Sequence, residues 1–590
     1  MSETKLVTYL HYSEIFKTFE KGGITFPIDI LKSETDFETQ IIYLLSNIDP
    51  TQLIQFSCFL NMICQTSITE VTIEKGAGLL YESNVLRKGE RDLSHKVLFH
   101  RESLLNLITK VISQDRFGTQ MLIGQSHVAN QKKYSEALLL TNSITTIEEK
   151  EQDYKNGKFL RDYFIREWPH YYLPEVSTMI YKRRIRRYAY CYEALLLELE
   201  EHDKETIQKG ITSFEEKEGV TLAEYMKVLH GLYIWFLEIP STSDKIQLPD
   251  GQDKLGFDWR NPDSFYIRSE LFEKDPSFMR IIDILSKDIQ SLKTSILEEE
   301  EREYIIDGFN KNIRIFFDNP IFKMSDGLYC ITDLKFLIEN VCGGLLWRIK
   351  SKGELRSFKS SYGRLMEKYF QFLTENIFKG SKIQIGATSG ADAVIIQDDV
   401  VFIIEFTTEY YRLPSIYNTS CEEFLKDAYL ILFNEGRNDP LARVVKKEKG
   451  KLLKLNQYIE NNQIEGKTII PILVTENILG DDELFNNFND FYNTHIVQKN
   501  LTHLQDNPPL FMCLDDMETL WSLFDPKDSG TALKEFAKDW ISITKRAKFH
   551  SVSYGLSEYV FNKTKKDPII KNKDFSNFFS NKSVFGKHID

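Results

Sequence analysis

Polar and apolar positions change period several times along the chain, and each change marks an element. From residue 1 to 240 the apolar residues recur at helical spacing. Asp49-Pro50 has the form of a helix start, a capping residue before a first-turn proline, and Leu53, Phe56, Leu60 and Ile63 follow on one stripe. Thr221-Leu222-Ala223-Glu224 has the form of a capping box, opening a helix whose buried side carries Tyr225, Leu229, Leu232 and Phe236. Such stripes are core far more often than binding grooves. Between Pro240 and Pro262 the composition turns polar and rich in Gly, Pro, Asp and Ser, which reads as a linker or surface loop. Helices then resume and include the acidic run Glu298 to Glu303, an exposed helix face.

A strand pattern first appears at Asn319-Pro320-Ile321-Phe322-Lys323 and returns at Leu328-Tyr329-Cys330-Ile331, with Asp326-Gly327 at the turn of a hairpin. It leads through a helix at about 333–350 into the segment that carries the chemistry. There the pattern predicts a helix over about 358–378, a strand over about 382–387, a second hairpin, a helix from about 420 and a strand over about 468–475. Residues 481–590 return to helix and loop and end in the basic stretch Lys563 to Lys573. The expected fold is mainly α with an α/β core: a helical domain over 1–240, then linker, helices and a small hairpin over 241–354. A mixed sheet flanked by helices follows over 355–480, and a C-terminal helical region over 481–590.

The second hairpin is the most informative stretch. In Gly390-Ala391-Asp392-Ala393-Val394-Ile395-Ile396-Gln397-Asp398-Asp399-Val400-Val401-Phe402-Ile403-Ile404-Glu405-Phe406-Thr407 two β-branched runs flank a polar break. A turn centred on Asp398-Asp399 sets Asp392 opposite Glu405, and opposed residues share a face of the sheet with Cβ atoms about 5 Å apart. Two carboxylates so close repel unless something neutralises them. A divalent cation does so, and Mg²⁺ characteristically takes one or two carboxylates plus water.

Together with the helix Ser361-Tyr362-Gly363-Arg364-Leu365-Met366-Glu367-Lys368-Tyr369-Phe370, these residues resemble the PD-(D/E)XK, or restriction-endonuclease-like, nuclease superfamily. Its pattern is a carboxylate on one strand, Glu-x-Lys on the next and an acidic residue on the preceding helix. Asp392, Glu405 and Glu367 match those places. Ala391 stands where the family often has proline, and Thr407 where it has lysine. The resemblance covers roughly 355–480. It implies a restriction-endonuclease-like mixed sheet and a nuclease using Mg²⁺ or Mn²⁺, with Asp392, Glu405 and the carbonyl of Phe406 as metal ligands and Glu367 completing or tuning the set. The family's lysine orients water and balances developing charge; Thr407 can hydrogen-bond a water but brings no cation. Losing one such stabiliser typically costs about 10²–10³ in rate. Lys426, on the helix that follows, is the first substitute, and Lys382, on the preceding strand, the second.

Charge changes the picture only locally. A formal net charge of −13 argues against wholesale coating of nucleic acid, whose affinity comes from Lys and Arg on phosphate. Two basic stretches are candidate contacts: Lys182, Arg183, Arg184, Arg186 and Arg187, flanked by Tyr181 and Tyr188, and the run Arg443, Lys446, Lys447, Lys449, Lys451 and Lys454 beside the hairpin. The bland alternative for the first is a face paired to the acidic residues Glu193, Glu198, Glu200 and Glu201, and for the second a solvated helix face. Seven cysteines without a C-x-x-C pair suggest reduced thiols, and no apolar stretch long enough to span a bilayer and no signal-peptide start are visible, so the expected location is cytoplasmic, away from membranes. No Walker-type phosphate cradle and no nucleophile elbow occurs.

Two functions follow as expectations. One is a metal-dependent endonuclease, a hydrolase acting on DNA or RNA, with DNA the first expectation, of the kind used in antiviral defence or restriction. The other is a catalytically silent scaffold that binds nucleic acid, pairs with an active companion subunit or forms a homo-oligomer.

Overall fold

The computed structural model describes residues 8–9, 18–21, 24–27, 34–46, 48–66, 96–97, 101–113, 127–144, 178–233, 266–269, 276–300, 313–324, 327–342, 352–386, 391–408, 451–462, 467–476, 494, 496–498, 500–506, 509–523, 534, 538 and 573–580. The described chain is mostly helical with two mixed sheets, and it divides into two compact units that interleave along the sequence. One comprises Met1–Leu160, Pro169–Tyr181 and Glu215–Gly344, the other Arg161–Trp168, Lys182–Phe214 and Leu345–Asp590. Set against the linear division expected from the sequence, part of the N-terminal region thus groups with the sheet-bearing C-terminal half. Residues 240–262, the expected linker, lie outside the described residues.

In the first unit the helix Pro50–Thr66 begins where Asp49-Pro50 places it, with Leu53 and Leu60 buried and the Phe56 ring set edge-on to Tyr134 at 5.0 Å. The capping box at Thr221 forms: Glu224 accepts the Thr221 N–H (2.9 Å), and Thr221 Oγ1 accepts the Glu224 N–H (3.2 Å). The first hairpin pairs Ile321–Lys323 with Leu328–Ile331, and Gly327 takes the φ of +74° that its turn requires. With Tyr266–Arg268 and Ser286–Lys287 it makes a four-stranded mixed sheet. Buried Asp333 accepts from Arg101 Nε (2.5 Å) and from the Phe336 N–H (2.9 Å), capping the helix Leu334–Cys342.

The second unit is built on a five-stranded sheet. Its strands are β1 (Lys382–Ile385), β2 (Ala393–Gln397), β3 (Val400–Thr407), β4 (Thr468–Thr475) and β5 (Leu510–Cys513), side by side in that order. Strand β2 runs antiparallel to both of its neighbours, β1 and β3, and β4 and β5 run parallel to β3. Strand β3 is buried along its whole length, as the near-continuous apolar run Val400 to Phe406 demands of a central strand covered on both faces. Asp398 makes the β2–β3 turn with φ +50°, a conformation Asp tolerates better than most residues.

Helices cover both faces. They are α1 (Thr178–Glu193), α2 (Lys352–Ile377), α3 (Lys451–Asn462), α4 (Thr502–Asp506), α5 (Leu514–Leu523) and α6 (Lys573–Ser580). Phe370 of α2 stacks on Phe406 of β3 with ring centroids 5.0 Å apart and planes 6° from parallel, and Phe378 just beyond α2 meets Phe402 at 5.4 Å. Helix α3 reaches the other side of β3, where Glu405 points. Aromatic rings of α1, α2, α5 and α6 close the packing around Tyr190, Phe372, Trp521 and Phe578.

Strand β5 corrects the expectation of helix and loop alone beyond residue 481. Leu510-Phe511-Met512-Cys513 is too short and too uniformly apolar to show a period, and only its burial on both faces as a parallel strand identifies it. The helix expected from about 420 lies outside the described residues.

Candidate active site

The β2–β3 ladder sets the geometry. Ala393 pairs with Ile404, so the next step outward places Asp392 opposite Glu405, the register read from the turn. The Phe406 N–H donates to Asp392 Oδ2 at 2.8 Å, tying one carboxylate to the backbone of the strand that carries the other. Phe406 therefore enters the site through its amide, and its ring, locked on Phe370, stiffens that end of the strand; such a stack contributes about 0.5–1.5 kcal/mol beyond area burial. Glu405 is wholly buried.

Its partner is Lys454. From the first turn of α3 the Lys454 Nζ reaches Glu405 Oε2 at 3.4 Å, and the lysine side chain keeps about a third of its surface exposed (35 %). A cation thus stands at Glu405 although Thr407 replaces the expected lysine. Thr407 itself is buried, and its carbonyl accepts the Glu476 N–H at 3.0 Å. The signal for Lys454 was in the sequence: with Leu455, Tyr458 and Ile459 it forms one stripe of an amphipathic helix, and a lysine on the stripe that buries the others needs a partner.

Two other expected members of the site, Lys382 and Glu367, lie elsewhere. Lys382 pairs with Ile396, four residues along the strand from Asp392, roughly 13 Å away. Lys426 lies outside the described residues. Glu367 is exposed on α2, one turn from Gly363 and Phe370, and that helix packs against the Phe402–Phe406 face while Glu405 points to the other. Among the described residues no three His, Cys, Asp or Glu side chains gather into a metal-holding group, so Glu367 does not complete one with Asp392 and Glu405.

Three of the five cations of the first basic stretch do not face phosphate. Arg183, Arg184 and Arg187 are buried, and they pair inward rather than with phosphate. Arg187 donates through Nε to Glu518 Oε1 at 2.7 Å and through Nη2 to Asp515, while Arg184 Nε reaches Asp515 Oδ2 at 2.9 Å. Arg183 Nη1 bonds Thr519 Oγ1 at 2.9 Å and lies over the Phe575 ring. The acidic partners come from α5, not from Glu193, Glu198, Glu200 or Glu201, because the cations face into the unit, toward a helix more than 300 residues away in sequence. Arg186 is half-buried, and the Lys182 side chain lies outside the described residues. Burial alone would raise the Asp515 carboxyl, but the charges of Arg184 and Arg187 outweigh it and hold the group down at about 2. Of the second basic stretch, Arg443, Lys446, Lys447 and Lys449 lie outside the described residues, as does the Lys451 side chain.

Glu476 is a further residue, one that no motif in the sequence marks. It directly follows β4, is 2 % exposed, and its Oε1 accepts the hydroxyls of Tyr188 and Tyr362, each at 2.5 Å. Burial raises its carboxyl above the ordinary glutamate range. Its signal was positional: an acid at the carboxyl end of a parallel strand, where open α/β sheets place their ligands and catalytic groups.

Among the described residues no helix is long and apolar enough to cross a membrane. No protein-family model, curated protein or solved structure matches the chain.

Proposed function

We propose that the unit built on the five-stranded sheet is a nuclease of the restriction-endonuclease-like kind, hydrolysing phosphodiester bonds of DNA or RNA at Asp392, Glu405 and Lys454. The observation that carries the reading is the convergence of two opposed carboxylates and one ammonium from three elements. The order of a long helix, a strand, the acidic hairpin, a helix and a parallel strand supports it as well.

The donor set fits a hard divalent cation, since both carboxylates offer oxygen and magnesium commonly rests on two of them with water and phosphate completing its shell. Asp392 and Glu405 would hold it. When bound, such an ion lowers the pKa of a water molecule and stabilises charge on the phosphate oxygens. The chain supplies the rest. The Phe406 N–H keeps Asp392 in one rotamer, the burial of Glu405 excludes competing water, and the ammonium of the part-exposed Lys454 orients the attacking water and balances charge on the phosphate.

The test is incubation of the purified protein with Mg²⁺ or Mn²⁺ and linear, nicked or single-stranded DNA and RNA, beside Asp392→Asn and Glu405→Gln. Cleavage that both substitutions abolish, and that chelation of the metal stops, is the expected result. Cleavage untouched by either substitution removes this site from the reaction.

Thr407 and the already neutralised Glu405 favour one second reading, a silent nuclease-like scaffold that works with an active partner subunit. It predicts nucleic-acid binding without cutting, and cutting that appears only when the partner is added.

A further inference from the structure

Beyond Asp392, Glu405 and Lys454, the carboxyl ends of the parallel strands hold a second buried constellation that the proposed reaction does not use. Its centre is Glu476. The main-chain N–H of this residue holds the carbonyl of Thr407, the last residue of the strand that bears Glu405. Its side-chain Oε1 gathers one tyrosine from α1 and one from α2. The other oxygen, Oε2, is buried with no hydrogen-bond partner among the described residues.

A buried carboxyl held at one oxygen and bare at the other is costly, and an apolar side chain would end the strand more cheaply. What an apolar side chain could not do is fix three elements at one point. Tyr362 adjoins Gly363, where a Cβ would stand 3.4 Å from Thr408 Oγ1, so α2 lies close to the end of β3 where its tyrosine reaches Glu476. Two turns further along α2, Phe370 lies on Phe406, and the Phe406 amide holds Asp392. A continuous set of contacts therefore runs from Glu476 to the proposed site, through the backbone at Thr407 and through the helix at Tyr362.

We propose that Glu476 is a positioning residue for the Asp392–Glu405–Lys454 site: by clasping Tyr188 and Tyr362 it holds the end of β3 and the helix beside it in register. This inference rests on the reading of that site as the catalytic one. Its role is geometric, since it touches none of the three side chains through a hydrogen bond.

The experiment compares the full-length protein with Glu476→Ala, Glu476→Gln and Tyr362→Phe, measuring amide hydrogen exchange at Phe406 and Thr407 against Val401 on the same strand, and Mg²⁺-dependent cleavage. In Glu476→Ala the Phe406 and Thr407 amides exchange about 10-fold faster while Val401 does not follow, a local loosening rather than global unfolding. The kcat falls about 10²-fold with KM unchanged, the cost of displacing groups that act at the reacting atoms. Glu476→Gln keeps an oxygen for both tyrosines and restores both readouts. Tyr362→Phe, which keeps the ring and loses one donor, moves both in the same direction by less, and it decides the matter if Glu476→Ala does not fold. Unchanged exchange at Phe406 in the substituted proteins, or acceleration equal at Val401, overturns the proposal. If the wild-type protein cleaves nothing, the nuclease reading fails, and the exchange data still decide whether Glu476 holds the strand end.

Discussion

Lys454 Nζ lies 3.4 Å from Oε2 of the fully buried Glu405, joining a helix and a central strand that are 49 residues apart in sequence. The lysine stays part-exposed, so it can serve the carboxylate and still meet solvent or substrate. A buried carboxylate without such a partner is strongly disfavoured in its charged form. The pair therefore has a structural reason to exist, and the proposed reaction would give it a chemical use at the same place.

If that use is catalytic, Lys454→Met should lower cleavage by about 10²–10³-fold, the usual cost of losing one preorganised stabiliser, while the retained stem keeps α3 packed. Steady-state kinetics on a defined DNA substrate, with circular dichroism to confirm the fold, checks this. A variant that cleaves at the wild-type rate removes Lys454 from the mechanism.

Arg187→Met should act on stability rather than on nucleic acid. Arg187 is wholly buried between Asp515 and Glu518, and removing one partner of a buried ion pair costs about 3–5 kcal/mol. Urea denaturation should show that loss. The salt dependence of DNA binding should not change, because a side chain paired inward neutralises no phosphate.

The same cluster gives a pH dependence with a definite sign. The Asp515 carboxyl sits at about 2 in the folded protein, below its ordinary value near 3.8. A depressed acid contributes stability that is present above its unfolded pKa and is lost as pH falls through the folded one. The stability difference between wild type and Asp515→Asn should therefore be constant above pH of about 5 and shrink as pH falls from about 4 toward 2. Denaturation midpoints across that window measure it, and a difference that grows on acidification contradicts the assignment.

Thr221→Ala offers a contrast in the other unit. It removes the Oγ1 that accepts the Glu224 N–H, at a cost of about 0.5–2 kcal/mol for a lost N-cap. Thermal unfolding should shift accordingly. Cleavage per folded molecule should stay the same, since the residue lies outside the unit that bears the candidate site.

What could be read in the sequence was local. The hairpin register that opposes Asp392 to Glu405 follows from a two-residue turn and the strict period of two, and the capping box at Thr221 from four consecutive residues. Glu367 shows the limit of a pattern: it stands at the expected place in the helix, yet α2 covers the face of β3 that Glu405 does not use. Tertiary structure alone decided which long-range partners meet. Five cations in six residues look alike whether they face phosphate or Asp515 and Glu518, and the choice depended on a helix more than 300 positions away. Strand β5, the cation at Glu405 and the clasp at Glu476 were decided in the same way. The physical reason is that turns and periodicities are fixed by neighbouring residues, whereas burial and charge pairing are settled only when distant elements pack.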